Sequence, residues 1–143
     1  MSASVKEMMK NILNLSQKEK LSLGKSSMLK IKTMLRKRGI EDEHKVNNFI
    51  NNLIKLFVSA DNECTKSECS YINSLLGKNY NYDDYIKMTK NGSDSEFVEK
   101  FDKLIDSLDP EEKNQICIFG LCILVSDNVL DVEEQQLFIK ILR

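Results

Sequence analysis

The fold of this chain is set by residues 56–68, LFVSADNECTKSE, which pass from the end of an apolar helix through a polar turn into a second helix. Thr65 and Glu68 have the spacing of a capping box, in which each residue bonds the backbone amide of the other. A shift of 66 residues overlays this stretch on residues 122–134, CILVSDNVLDVEE. The shared order of apolar helix, small residue, Asp-Asn, N-cap and glutamate predicts two copies of one antiparallel helix-loop-helix hairpin.

Apolar residues recur at spacings of three and four along most of the chain, which is the period of amphipathic helices. The segment at about residues 41–60 follows this pattern throughout, and Ile116 to Val125 is apolar on every side. We expect these two segments to form the central pair of helices. Five glycines and one proline supply few of the tight turns that a β-sandwich or barrel needs. The sequence therefore predicts an all-α fold of six to seven helices, in a single domain over residues 1–143.

Residues with capping chemistry mark several helix ends. Asp109 followed by Pro110 combines an N-cap with proline at the first helical position, so a helix is expected to begin there. Gly39 follows a basic segment at about residues 17–38 and is expected to end the second helix. A tyrosine-rich stretch from residue 80 leads into a short helical piece that reaches about Thr89.

Charge is divided unevenly along the chain. Residues 1–40 carry ten basic and two acidic side chains, while residues 41–143 carry eleven basic and twenty acidic ones. Packing of positive helices beside negative ones explains this division within the molecule. The basic second helix could instead bind nucleic acid, anionic lipid or an acidic protein, although the acidic remainder disfavours a polyanion. The residues for such contacts are Lys25, Lys30, Lys32, Arg36, Lys37 and Arg38.

The paired hairpin pattern resembles the tellurite-resistance TerB-like domain, an all-helical family of paired antiparallel hairpins. The matching positions are Ala60-Asp61-Asn62 with Thr65 and Glu68, and Ser126-Asp127-Asn128 with Asp131 and Glu134. They cover residues 44–143 and leave the basic residues 1–40 as N-terminal helices. Asparagine stands where the family usually has glycine, and it also tolerates the left-handed backbone. The resemblance implies a bacterial cytoplasmic stress-response or protein-interaction module without enzymatic activity.

The resemblance also implies a divalent cation at the acidic turns. Neither turn has the central glycine and final glutamate of an EF-hand loop. A looser carboxylate site stays open, because hard cations accept several oxygen ligands. The same residues are also explained as helix caps, which need no ion. The candidate ligands are Asp61, Glu63 and Glu68 in the first turn and Asp127, Asp131 and Glu134 in the second.

Catalytic chemistry has little support in the sequence. The single histidine, His44, lies beside three acids near a helix start, where an exposed cap is favoured over a general base. No serine-histidine-aspartate set, glycine-rich phosphate loop or HExxH element is recognised. We therefore expect a non-enzymatic protein with no cofactor beyond the cation considered above.

Four cysteines form two C-x4-C pairs, Cys64 with Cys69 and Cys117 with Cys122. With no recognisable secretory signal or transmembrane segment, a cytoplasmic protein with reduced thiols is expected. Residues 117 and 122 of one helix would lie about 7.5 Å apart along its axis, which is too far for a shared zinc ion. The cysteines are predicted to be small core residues, with Cys64 as the candidate for an exposed thiol.

Overall fold

Eight α-helices build the part of the chain that the computed structural model describes, which comprises residues 2–60, 64–91, 95–125 and 132–142. No strand occurs in these ranges, and the predicted all-α class is confirmed. The predicted number of six to seven helices is too low. The helices are α1 (Ser2–Leu13), α2 (Gln17–Lys37), α3 (Glu43–Val58), α4 (Lys66–Leu76), α5 (Tyr82–Asn91), α6 (Ser95–Ser107), α7 (Pro110–Leu124) and α8 (Val132–Leu142).

Helix α5 corresponds to the short helical piece that the sequence predicts to reach about Thr89. Asn81 Oδ1 accepts a hydrogen bond from the Asp84 amide at 3.0 Å, and Asp84 Oδ2 accepts one from the Asn81 amide at 3.2 Å. These reciprocal bonds start the helix. Only Tyr85 and Thr89 are buried along it. The sequence indicates this segment only as a short helical piece after a tyrosine-rich stretch, and the predicted six to seven helices leave it out.

Local capping chemistry starts and ends helices at predicted residues. Thr65 Oγ1 accepts a hydrogen bond from the Glu68 amide at 3.1 Å, and the Glu68 side chain bonds the Thr65 amide in return. Asp109 caps α7, with Pro110 at its first position. Gly39 follows α2 with a φ of 91°, in the left-handed region that favours glycine. These predicted boundaries are confirmed because each depends on a few neighbouring residues.

Helix α7 lies at the centre of the packing. From Ile116 to Val125 every residue except Ile118 is buried. Helices α1, α2, α3, α4 and α8 all pack against α7. The sequence predicts α3 as its main partner, but α2 makes the more extensive contact. A helix that is apolar nearly all round needs neighbours on every side, and the long α2 supplies the largest of them.

Helix α2 reaches the core through a narrow stripe that its many lysines obscure in the sequence. Its inner face also joins α4, because Tyr71 Oη donates a hydrogen bond to the Lys20 carbonyl at 2.6 Å. A Cβ at Gly24 would overlap that hydroxyl, so the glycine permits the contact. The buried residues of α2 are Lys20, Gly24, Ser27, Ile31, Met34 and Leu35.

The ring of Phe57 in α3 lies directly against the backbone of α7 at Gly120. A Cβ at position 120 would overlap three carbons of that ring. Phe57 also stacks on Phe138 of α8, with ring centroids 5.3 Å apart and planes inclined by 15°. Both rings are fully buried. Gly120 therefore allows α3 to approach α7 closely enough for this aromatic contact.

Substitution of Gly120 by alanine is expected to lower the free energy of unfolding by about 1–3 kcal/mol, because the added methyl group over-packs the site against Phe57. Urea denaturation followed by circular dichroism measures the change. Asn51→Ala on the exposed face of α3 is the control, with a change of less than about 0.5 kcal/mol.

The contact itself is tested by combining Gly120→Ala with Phe57→Leu. The double variant should lose less stability than the sum of the two single variants, because the smaller side chain leaves room for the methyl group. Strictly additive losses would show that the two residues do not interact.

Candidate functional site

The outer face of α2 carries the predicted cationic residues. Lys25, Lys30, Arg36 and Lys37 are exposed, and Lys32 is half-buried. Within the described part of the chain, no ion pair joins any of these five side chains to an acid. The structure thus brings five of the six predicted cations onto one helix surface.

Arg38 is the exception among the predicted cations. Its Nη2 lies 2.9 Å from Glu112 Oε1, and its guanidinium also donates to Ser107 at 3.4 and 3.5 Å. These contacts join the end of α2 to the connection between α6 and α7. Arg38 is therefore a basic residue of the N-terminal part that pairs with an acid of the same molecule, as the packing of positive helices beside negative ones predicts.

Leu29 is a candidate binding residue that the sequence analysis does not identify. Its exposed fraction is 60%, the larger of the two values for exposed large hydrophobic residues in the described ranges. Helical spacing places Lys25, Lys32 and Arg36 on the same side of α2 as Leu29. We refer to these four residues as the α2 surface. One sign of this exposure is present in the sequence, because Leu29 does not follow the spacing of the other apolar residues of α2.

A groove of about 450 Å³ flanks the α2 surface and includes Leu29 in its lining. Lys30 and Lys37 contribute from α2, whereas Glu111 and the capping residue Asp109 contribute from the start of α7. The groove therefore offers both signs of charge beside an exposed apolar side chain. Such a mixture suits a protein surface better than it suits a row of phosphates.

A second groove, of about 640 Å³, lies where the first turns of α2 and α4 meet. Lys18 and Lys66 line it together with Ser67, Ser70 and Ser74, and its described lining contains no acid. Lys18 precedes Lys25 by two helical turns, so it extends the positive row of α2 toward its N-terminal end. The sequence pattern does not reveal this groove, because two separate helices build it.

Most of the predicted cation ligands lie outside the described residues. This holds for Asp61, Glu63, Asp127 and Asp131, and for the side chain of Glu134 in α8. Among the described residues, no group of three or more histidine, cysteine or acidic side chains is arranged to hold a metal ion. The cation site consequently stays a prediction.

Glu68 is the predicted ligand whose surroundings are visible. Its side chain is 3% exposed, and its Oε1 accepts a hydrogen bond from the Thr65 amide at 2.8 Å. A cation would have to use the other carboxylate oxygen or displace the cap. The geometry of Glu68 matches the capping explanation of the first acidic turn.

His44 lies in the first turn of α3, where its amide donates to the Asp42 carboxylate at 2.8 Å. The residue is exposed, as the sequence predicts. The amide bond to Asp42 is part of the N-cap of α3, so this environment is that of a helix start.

All four cysteines are reduced and buried in the core. The prediction of an exposed Cys64 is wrong, because its side chain is only 5% exposed and packs before the start of α4. Burial raises the pKa of Cys117 to about 12. It raises the pKa of Cys122 to about 11, with partial opposition from a hydrogen bond to Tyr71 and from the charge of Lys20. Cys117 and Cys122 are therefore protonated at neutral pH and serve as core residues.

The chain matches no model of a protein family, no curated protein and no solved structure with which it was compared. Within the described ranges, no helix combines the length and the apolar character required to cross a membrane.

Replacement of Thr65 by alanine removes the oxygen that caps α4 and should lower the free energy of unfolding by about 1 kcal/mol. Thr65→Ser retains the hydroxyl and is the matched control, with a much smaller loss. Urea denaturation of both variants provides the comparison. Equal losses in the two variants would show that the hydroxyl group does not carry the effect.

Proposed function

We propose that this chain is a non-enzymatic binding module of TerB-like architecture, which binds an acidic protein partner through the α2 surface. The 60% exposure of Leu29 within a row of cations carries the proposal. Cations steer an acidic partner and fix its orientation, while the leucine supplies apolar area for burial. In line with the resemblance, we propose that the module acts in stress response in a bacterial cytoplasm.

The helix boundaries support the proposed hairpin repeat. Helix α3 ends at Val58 and α4 spans Lys66–Leu76, whereas α7 ends at Leu124 and α8 spans Val132–Leu142. The end of α7 and the start of α8 each follow their counterparts in α3 and α4 by 66 residues, which is the shift that overlays the two sequence stretches. The C-caps Ser59 and Val125 also share a conformation, with φ near −90° and ψ near 0°. This agreement supports the TerB-like interpretation of residues 44–143.

An acidic protein is favoured over nucleic acid by the composition of the α2 surface. Phosphate binding needs cations and hydrogen-bond donors, and an exposed leucine adds nothing to it. Burial of a leucine side chain against a protein partner contributes about 1.5–3 kcal/mol. The acids Asp109 and Glu111 in the adjoining groove disfavour a continuous row of phosphates, whereas a protein partner can place a neutral or basic residue opposite them. Nucleic-acid binding by the basic second helix stays the alternative.

Fluorescence polarisation with three labelled probes tests the proposal. The first probe is a synthetic helical peptide of glutamate, leucine and alanine, the second has its leucines replaced by glutamine, and the third is single-stranded DNA. Leu29→Ser should weaken binding of the leucine-containing peptide about tenfold, because it removes the apolar contact. The same variant should leave binding of the other two probes unchanged.

A charge reversal locates the surface on the molecule. Arg36→Glu should weaken binding of both peptides and reduce the salt dependence of binding, whereas Lys103→Glu on the exposed face of α6 should change neither. Equal effects of the two reversals would mean that net charge, and not the α2 surface, controls binding. Tight DNA binding that is insensitive to Leu29→Ser would instead support the alternative.

Cation binding at the acidic turns is tested separately from partner binding at the α2 surface. Because Glu68 already caps α4, replacing its carboxylate should leave the heats of titration calorimetry with Mg²⁺, Ca²⁺, Mn²⁺ and Zn²⁺ unchanged. Glu68→Gln is the matched variant, since glutamine retains the capping geometry and removes the carboxylate charge. Saturable heat that disappears in Glu68→Gln would establish the cation site and overturn the capping explanation.

A further inference from the structure

Cys64 and Cys69 bring their sulfur atoms to 3.2 Å in the core. Cys64 immediately precedes the N-cap Thr65, and Cys69 is the fourth residue of α4. These two positions correspond to those of a hydrophobic staple, in which side chains on either side of a helix start pack together. In this chain the two staple positions both hold thiols.

The thiols form a short hydrogen-bonded chain. A hydrogen bond joins the two sulfurs at 3.2 Å, and Cys64 Sγ also lies 3.8 Å from the Thr65 carbonyl oxygen. Burial raises the pKa of Cys69, and the hydrogen bond with Cys64 opposes part of that rise. Burial raises the pKa of Tyr85 in α5, and negative charge on Cys69 or Cys64 raises it further. The two thiols are therefore buried in an environment that disfavours negative charge.

We propose that Cys64 and Cys69 form an oxidation site, at which a hydroperoxide converts the two thiols into a disulfide that ties the entry of α4 to its second turn. The sulfur separation carries this assignment. A disulfide needs about 2.05 Å between the sulfurs, so closure by about 1 Å completes the bond. Two thiolate ligands of a tetrahedral zinc ion lie about 3.8 Å apart, so this pair is closer than zinc requires.

The second C-x4-C pair shows why sequence spacing alone does not create the site. Cys117 and Cys122 both lie inside α7, where a separation of five residues is about 7.5 Å along the axis and about 140° around it. The N-cap Thr65 has an extended backbone, with φ −78° and ψ 162°, and turns Cys64 back toward Cys69. Only the first pair combines this spacing with a helix start.

The chemistry balances with one peroxide per pair. One thiolate attacks a peroxide oxygen of H₂O₂ and becomes a sulfenic acid, and hydroxide leaves. The other thiol then attacks the sulfenic sulfur, forms the S–S bond and releases water. The two thiols lose two electrons and two protons in total, and H₂O₂ is reduced to two molecules of water. A small oxidant suits side chains that are 5% and 4% exposed, because brief opening of the first turn is enough to admit it.

Tryptic mapping tests the proposal on the full chain. The reduced protein is treated with H₂O₂ in native buffer, alkylated in denaturant and digested without reduction. Because Lys66 lies between the two cysteines, a 64–69 disulfide links two separate tryptic peptides, residues 56–66 and 67–78. The expected product is this linked species, about 2 Da lighter than the two reduced peptides together and separated by dithiothreitol. Recovery of both peptides with alkylated thiols would overturn the proposal.

The second cysteine pair is a control within the same molecule. Both pairs enclose loops of equal length, so in urea the two disulfides should form at rates within about threefold of each other. In the native chain the 64–69 disulfide should form at least about tenfold faster than a 117–122 disulfide, because α7 holds its sulfurs apart. Equal native rates, or oxidation of Cys64 and Cys69 only where the whole chain unfolds, would contradict the site.

A single substitution separates pairing from simple thiol reactivity. In Cys64→Ser, peroxide should leave Cys69 as a thiol or as a sulfenic acid that dimedone traps, with the linked peptides absent. In the wild-type chain, oxidation should slow hydrogen exchange of the Cys69 amide at least about tenfold, since the disulfide holds the first turn closed. A linked product of Cys69 with another cysteine at wild-type yield, or unchanged exchange on oxidation, would show that the proposed pair is not the reacting unit.

Discussion

The contact between the Phe57 ring and the α7 backbone at Gly120 is the constraint on which the packing of three helices depends. The absence of a Cβ at Gly120 lets the ring of α3 lie on α7. The stacking of Phe57 on Phe138 then positions α8 with respect to α3. Protein interiors are close-packed, so a ring in this position cannot move without displacing its neighbours. Because α7 is buried nearly all round, a displacement of α7 at this contact would disturb every helix that packs on α7.

Helix α2 has an inner side buried in the core and an outer side exposed to solvent. Its inner stripe packs on the most apolar helix of the chain, whereas its outer side holds the α2 surface. Small inner residues such as Gly24 make close packing compatible with long cationic side chains elsewhere on the helix. One consequence is mechanical: a partner bound to Leu29 would press on a helix that is anchored along its length in the core. The backbone beneath the binding surface is therefore held in place by the core, so little backbone entropy is lost when the surface is covered.

The features that the sequence predicts correctly are those decided by neighbouring residues. Thr65 with Glu68 and Asp109 with Pro110 start helices through contacts over a few positions, and Gly39 follows α2 through its own backbone freedom. Features that depend on distant contacts could not be predicted in this way. The packing of α2 on α7, the pairing of Arg38 with Glu112 and the burial of Cys64 all require knowledge of which helices meet. The exposure of Leu29 could not be predicted either. The apolar repeat of a helix shows which side is buried, but it does not show that a particular apolar residue lies outside that side and stays exposed.

A comparison of the two copies of the proposed repeat shows that only the first copy has the thiol pair. The shift of 66 residues relates Cys64 to Leu130 and Cys69 to Gln135, so the second copy has no thiol at either position. A staple needs only apolar contact, and leucine or valine would provide it without reactive chemistry. The two sulfurs of the first copy therefore cannot be explained by the hairpin architecture as such. Their separation of 3.2 Å places two redox-active groups at the start of α4, in the same helical turn whose Lys66 and Ser67 line the groove shared with α2. A covalent bond between the sulfurs would act on the backbone that shapes this groove, so the chemical state of the pair and the geometry of the surface beside α2 are physically connected.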